Sequence, residues 1–125
     1  MFTHAINWFE IPVLDFERAK KFYELIFEYE MPVNTIGETK MGFLLFDYKG
    51  GGIGGSICYG EGYEPSNKGA LVYLNGGEDL NVILQRVEGA GGQIVLPKTH
   101  ITNEIGYFAV FIDPEGNRVA LHSRN

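Results

Sequence analysis

The chain has 125 residues, 45% of them hydrophobic, and a formal charge of −6 from 10 basic and 16 acidic side chains. That is enough apolar matter for one core, while an acidic balance with no Lys/Arg cluster argues against a nucleic-acid groove or an anionic membrane surface. The single cysteine, Cys58, excludes an internal disulfide framework and any zinc site built on several thiolates.

No charged segment followed by a long apolar one opens the chain, so neither a signal peptide nor a transmembrane helix is expected, and the localisation expected is cytoplasmic. Residues 5–11 mix aromatic and branched side chains and predict a strand. Asp15 then offers a helix cap, and Phe16, Ala19, Phe22, Tyr23 and Ile26 recur at helical spacing with charged residues between them. A short strand is expected at 30–35, and a hairpin pairing 41–48 with 53–59. The polar stretch 60–68 reads as a join.

The order then repeats. Residues 70–74 predict a strand; Leu80, Ile83, Leu84 and Val87 a helix that the glycines at 89–92 stop; 92–96 a short strand; and 106–112 with 117–123 a second hairpin. This last hairpin turns on Asp113-Pro114-Glu115-Gly116, with aspartate first, proline second and glycine last as a type I turn prefers. Residues 97–104 read as a polar loop with His100 exposed, a lip offering Lys98 and Thr99. Sliding the chain by 64 residues sets Asp15 on Asp79, Gly42 on Gly106 and Gly52 on Gly116 without a gap. The expected fold class is α+β: one domain of two tandem βαβββ units, about 1–62 and 63–125.

Side chains of a strand alternate between faces. With Phe9, Ile11, Ile57, Leu71, Tyr73, Val119 and Leu121 under the helices, the opposite face carries Trp8, Glu10, Ser56, Cys58, Val72, Ala120 and His122. A tryptophan, small residues and a few polar groups on one sheet face suit a small-molecule pocket.

The duplicated unit, the opening from Phe9 through Pro12 and Asp15 to Tyr23, and the close from Asp113 to Leu121 resemble the vicinal-oxygen-chelate superfamily, which includes glyoxalase I, extradiol dioxygenases, fosfomycin-resistance enzymes and bleomycin-binding proteins. The resemblance covers almost the whole chain. It implies a cup-shaped mixed sheet with helices on its outer face, often completed in a homodimer. In the metal-dependent members four inward strand positions hold a divalent ion, and the corresponding positions here are Trp8, Ser56, Val72 and Ala120. Indole has no lone pair to offer, Val and Ala have no donor atom, and a serine hydroxyl alone does not hold a transition metal against water. No cofactor is therefore expected.

The glycines at 50–55 satisfy G-x-G-x-x-G, but strand-like residues follow where a dinucleotide fingerprint needs a helix, so they predict a hairpin turn. Cys58 reads as packing rather than as a nucleophile. The function expected is that of a metal-independent, glyoxalase/bleomycin-resistance-like homodimer that holds a small organic ligand among Trp8, Glu10, Ser56, Cys58, Val72, Ala120 and His122. The alternatives are a glyoxalase-like lyase or isomerase using Glu10 and His122 as acid and base, with or without a displaced metal held by Glu10, His122 and His4, and a module whose open face serves only dimerisation.

Overall fold

A computed structural model describes residues 2–45 and 47–125. The fold is α+β, with the order β1 (Trp8–Pro12), α1 (Phe16–Phe27), β2 (Val33–Ile36), β3 (Thr39–Phe43), β4 (Gly54–Tyr59), β5 (Val72–Asn75), α2 (Asn81–Leu84), β6 (Gln93–Thr102), β7 (Gly106–Ile112) and β8 (Arg118–Ser123). Each βαβββ unit makes its own four-stranded sheet, β1-β4-β3-β2 and β5-β8-β7-β6. In both, the first strand runs parallel to the last and the remaining pairs are antiparallel. Among the described residues no helix is long and apolar enough to cross a membrane.

The helix α1 forms where the stripe predicts it. Asp15 is its cap, accepting the Arg18 amide at 3.0 Å, and Phe16, Ala19, Phe22, Tyr23 and Ile26 are buried. Phe16 lies over Gly42 of β3. On the neighbouring turn of the stripe, Phe22 meets Phe111 of β7, ring centroids 5.7 Å apart, and Tyr23 donates to Asp113 at 2.8 Å. One helix therefore ties both sheets into a single core that holds Ile11 and Ile57 of the first sheet and Leu74, Phe111 and Leu121 of the second. The other face of each sheet is turned away from that core.

The two units match, but not at one offset. Ile57 of β4 and Leu121 of β8 hold the same place, 64 residues apart. Their strand partners place Ile11 with Leu74, 63 apart, and Gly42 with Ala109, 67 apart. The gapless repeat is thus corrected. The first strands slip by one residue, and between matching positions the path from β3 to β4 is three residues longer than that from β7 to β8.

Two further expectations change. Residues 97–102 are not a loop but the second half of β6, which is an edge strand and so tolerates Pro97 without an amide hydrogen; its pairing with β7 shifts register between Leu96 and Thr99. The first hairpin stops at Phe43, short of the expected Tyr48, and Phe46 within that expectation lies outside the described residues.

Candidate functional site

The free face of the first sheet is built from alternate residues of β1, β4 and β3. Glu10 stands beside Ser56, which stands beside Phe43, and Pro12, Cys58 and Met41 make the next row. Trp8 lies at the start of β1, half-buried, edge-on to Phe43 with centroids 6.0 Å apart. Around it Tyr29, Pro32, Phe43 and Tyr48 line a cavity of about 400 Å³. Tyr29 is held there by donating to the Phe43 carbonyl at 2.8 Å, and its hydroxyl is pushed above the usual phenol range by burial and then by Glu24.

Deeper on this face Ser56 and Cys58 are fully buried and share a hydrogen bond of 3.2 Å. Burial pushes the Cys58 thiol up to about 11, with the Glu10 carboxylate adding to the rise and the Ser56 contact opposing it. A buried thiol held protonated at neutral pH offers little thiolate, the species that acts as nucleophile. Glu10 accepts the Tyr63 hydroxyl at 2.8 Å, and that bond raises the Tyr63 phenol to about 12. Tyr63 comes from the join between the units. Its ring in an otherwise polar stretch marks the residue but not its partner.

The free face of the second sheet carries Tyr73, Ala120, His122, Val110 and Phe108. Here the expectation for Val72 is overturned. Val72 stands beside Val119 and packs against the shared core, as does Leu74 beside Leu121, whereas Tyr73 stands beside Ala120 and is half exposed, 6.2 Å from Phe108 between ring centroids. The one-residue slip of the first strands turns each side chain of β5 to the face opposite the one expected. His122 points its Nε2 at the Ile105 carbonyl, 2.6 Å away; a carbonyl only accepts, so Nε2 carries the hydrogen. It borders a cavity of about 710 Å³ with Tyr73, Ile101, Ile105 and Arg124.

The seven expected residues therefore divide. Trp8, Glu10, Ser56 and Cys58 share one sheet face, Ala120 and His122 share another, and Val72 belongs to the core side. Glu10 and His122 occupy different sheets and hold different partners. His100, exposed as expected, contacts Asn103 at 3.0 Å and the Tyr107 ring. The positions where a divalent ion is implied do not fit one: indole, a buried hydroxyl engaged by a thiol and a buried alanine supply no ligand set, and with Val72 on the core side the place beside Ala120 is taken by Tyr73. Among the described residues no three His, Cys, Asp or Glu side chains come together as a metal group.

The family model of the Glyoxalase/Bleomycin resistance protein/Dioxygenase superfamily matches residues 5–121. Among solved structures, a glyoxylase/bleomycin resistance protein/dioxygenase domain from Frankia sp. superposes with a TM-score of 0.70 at 14% identity, covering 98% of each chain. A glyoxalase/bleomycin resistance protein from Albidiferax ferrireducens gives 0.69 at 16% identity over 98% of this chain and all of the other. Glyoxalase I from Zea mays gives 0.68 at 19% identity over 94% of this chain, which spans only 45% of that protein. Comparison with curated proteins finds no match. At these identities the structural likeness concerns the fold.

Proposed function

Since the chain belongs to the Glyoxalase/Bleomycin resistance protein/Dioxygenase superfamily, we propose that it binds a small organic molecule without a metal, in a cup formed when the Trp8 face of one copy meets the His122 face of a second. The observation that carries this reading is the aromatic cavity around Trp8, floored by Phe43 and walled by Tyr29. Aromatic walls supply apolar area and ring stacking, the means by which a site without a metal holds an organic ligand. The division of the expected residues between two outward faces supports the second half of the proposal. Each face carries part of a polar and aromatic set, and two copies related by a twofold axis bring the unlike faces together twice.

The acid–base alternative draws less support. Glu10 is committed to Tyr63 and His122 to a backbone carbonyl, so each already holds a partner other than a substrate. Trp8 is the only tryptophan, which makes its emission a direct reporter. Titration of a panel of uncharged and cationic aromatic metabolites and antibiotics is expected to give a saturable change that persists in EDTA. Calorimetry on Trp8→Phe is expected to show weakened binding of the same compound. A panel with no response, or a response that requires added Zn²⁺ or Ni²⁺, overturns the proposal.

A further inference from the structure

The two units are not sealed to each other in the same way at their two junctions. At the first junction, where β1 runs into α1, the β7–β8 turn closes the gap with side chains. Glu115 accepts the Leu14 and Asp15 amides at 2.8 and 2.7 Å, and Asn117 donates to the Pro12 carbonyl at 2.7 Å. The matching junction lies where β5 runs into α2 and faces the β3–β4 loop. That loop is longer and glycine-rich, and its one acid turns inward: Asp47 accepts the Gly50 amide at 3.0 Å, and its carbonyl accepts the Gly52 amide at 2.8 Å. In the place of a clasp there is a cavity of about 780 Å³. Leu44 and Ile53 line it from the loop ends, Leu74 and Ile83 from the β5–α2 junction, and Phe9 and Phe27 from the core between. Phe9 reaches this position because Gly55 beside it has no side chain; a Cβ there would meet the ring at 2.5 Å.

This cavity reaches the core through Phe9, Phe27 and Ile83, which line neither of the cavities described above, while Tyr73 and Asn75 also border the His122 cavity and Leu44 the Trp8 cavity. Its volume is that of a site for one drug-sized molecule. Among the described residues lining it, none is charged, and Tyr73 and Asn75 are the polar side chains. A charged group entering such a lining loses its hydration with no partner to replace it, whereas an apolar one leaves water at a gain. We propose that the unclasped junction is a second binding site, selective for an uncharged, largely apolar small molecule such as a fused aromatic or a short aliphatic chain.

The test uses two fluorophores with one skeleton, N-phenyl-1-naphthylamine, which is neutral, and 8-anilinonaphthalene-1-sulfonate, which is anionic. The full chain is expected to bind the neutral dye saturably, one per chain, at least tenfold more tightly than the anionic one. Ala70→Trp places a bulky ring at the exposed rim of the cavity and is expected to weaken the neutral dye tenfold or more with an unchanged thermal midpoint. Ile53→Asp, which adds a carboxylate to the lining, is expected to do the same. Equal affinity for both dyes, or full binding in both variants, overturns the proposal. So does dye binding that disappears as protein concentration rises into a dimer, which would make the cavity an interface between copies.

Discussion

Glu115, in the turn between the last two strands, holds Arg18, on the first turn of the first helix. The Arg18 Nε donates to one carboxylate oxygen at 2.6 Å while the other oxygen accepts the two amides that lead into α1. The carboxylate is fully covered and the guanidinium half exposed. The pair is therefore asymmetric in energy as well as in burial. Glu115 also raises the Arg18 guanidinium above its usual value through their hydrogen bond, although exposure discounts that gain.

Glu115→Ala is expected to destabilise the fold by about 1 to 2 kcal/mol, since charge-assisted bonds to two backbone donors are lost. Arg18→Ala is expected to cost less than about 1 kcal/mol, as an exposed ion-pair partner does. Urea unfolding of the two variants measures the difference. Equal losses would show that the ion pair, not the bonds to the two amides, is the stabilising part.

Tyr23 and Asp113 give a pH prediction. Burial raises the Asp113 carboxyl, while the Asn117 and Glu115 amides, the Asn117 side chain and the Tyr23 hydroxyl pull it back down. A raised acid favours the fold most below its unfolded value of 3.8, and that contribution is lost as pH climbs through the folded value. Tyr23→Phe removes a donor to the ionised form and raises the acid further. Its cost is expected to be about 1 to 2 kcal/mol near pH 7 and smaller near pH 4. Denaturant titrations at the two pH values check this, and a cost that grows toward acid pH would contradict it.

Cys58 should be silent in the folded protein. A thiol pushed up to about 11 carries roughly 100-fold less thiolate near neutrality than one at the ordinary value of 9, and it is also shielded by burial. Ellman's reagent is expected to titrate one thiol in urea and essentially none in native buffer at pH 7.5.

The composite cup makes a prediction about mixtures. Trp8→Ala and His122→Ala chains are each expected to lose the compound that passes the Trp8 titration. When the two are unfolded together and refolded, each mixed dimer contains one intact cup and one doubly altered one, so about half of its sites return. No recovery would mean that each chain closes its own cup.

Metals should leave the fold untouched. The thermal midpoint is expected to be the same within about 1 °C in EDTA and in excess Zn²⁺ or Ni²⁺, because an ion that binds only the native state would raise it in proportion to its affinity. A stabilisation that titrates stoichiometrically would point to ligands elsewhere on the chain.

How much of this was legible in the residues varies with range. The α1 stripe, its Asp15 cap and β7 were plain, because periodicity and caps are local signals; the Asp113 turn was too, and its Gly116 amide closes onto the Asp113 carbonyl at 3.0 Å. The facing of β5 was not. Leu71 to Leu74 is apolar or aromatic at every position, so alternation gives no parity and only pairing with β8 decides it. Tyr63 reaching Glu10, and Glu115 reaching Leu14, are contacts across 53 and 101 positions that no local pattern encodes. The aromatic surroundings of Trp8 were hidden for the same reason.

The recipients of the Glu115 carboxylate lie 100 and 101 positions earlier in the chain. A ribosome delivers residue 115 long after it has delivered α1, so the bend at Leu14 and Asp15 that leads into the helix stays without its clasp until nearly everything else has emerged. Closing so wide a loop is slow compared with winding a helix. A fragment cut at the join between the units would accordingly keep its own Asp15 cap and lack the clasp, and should be far less helical than the same residues in the intact chain.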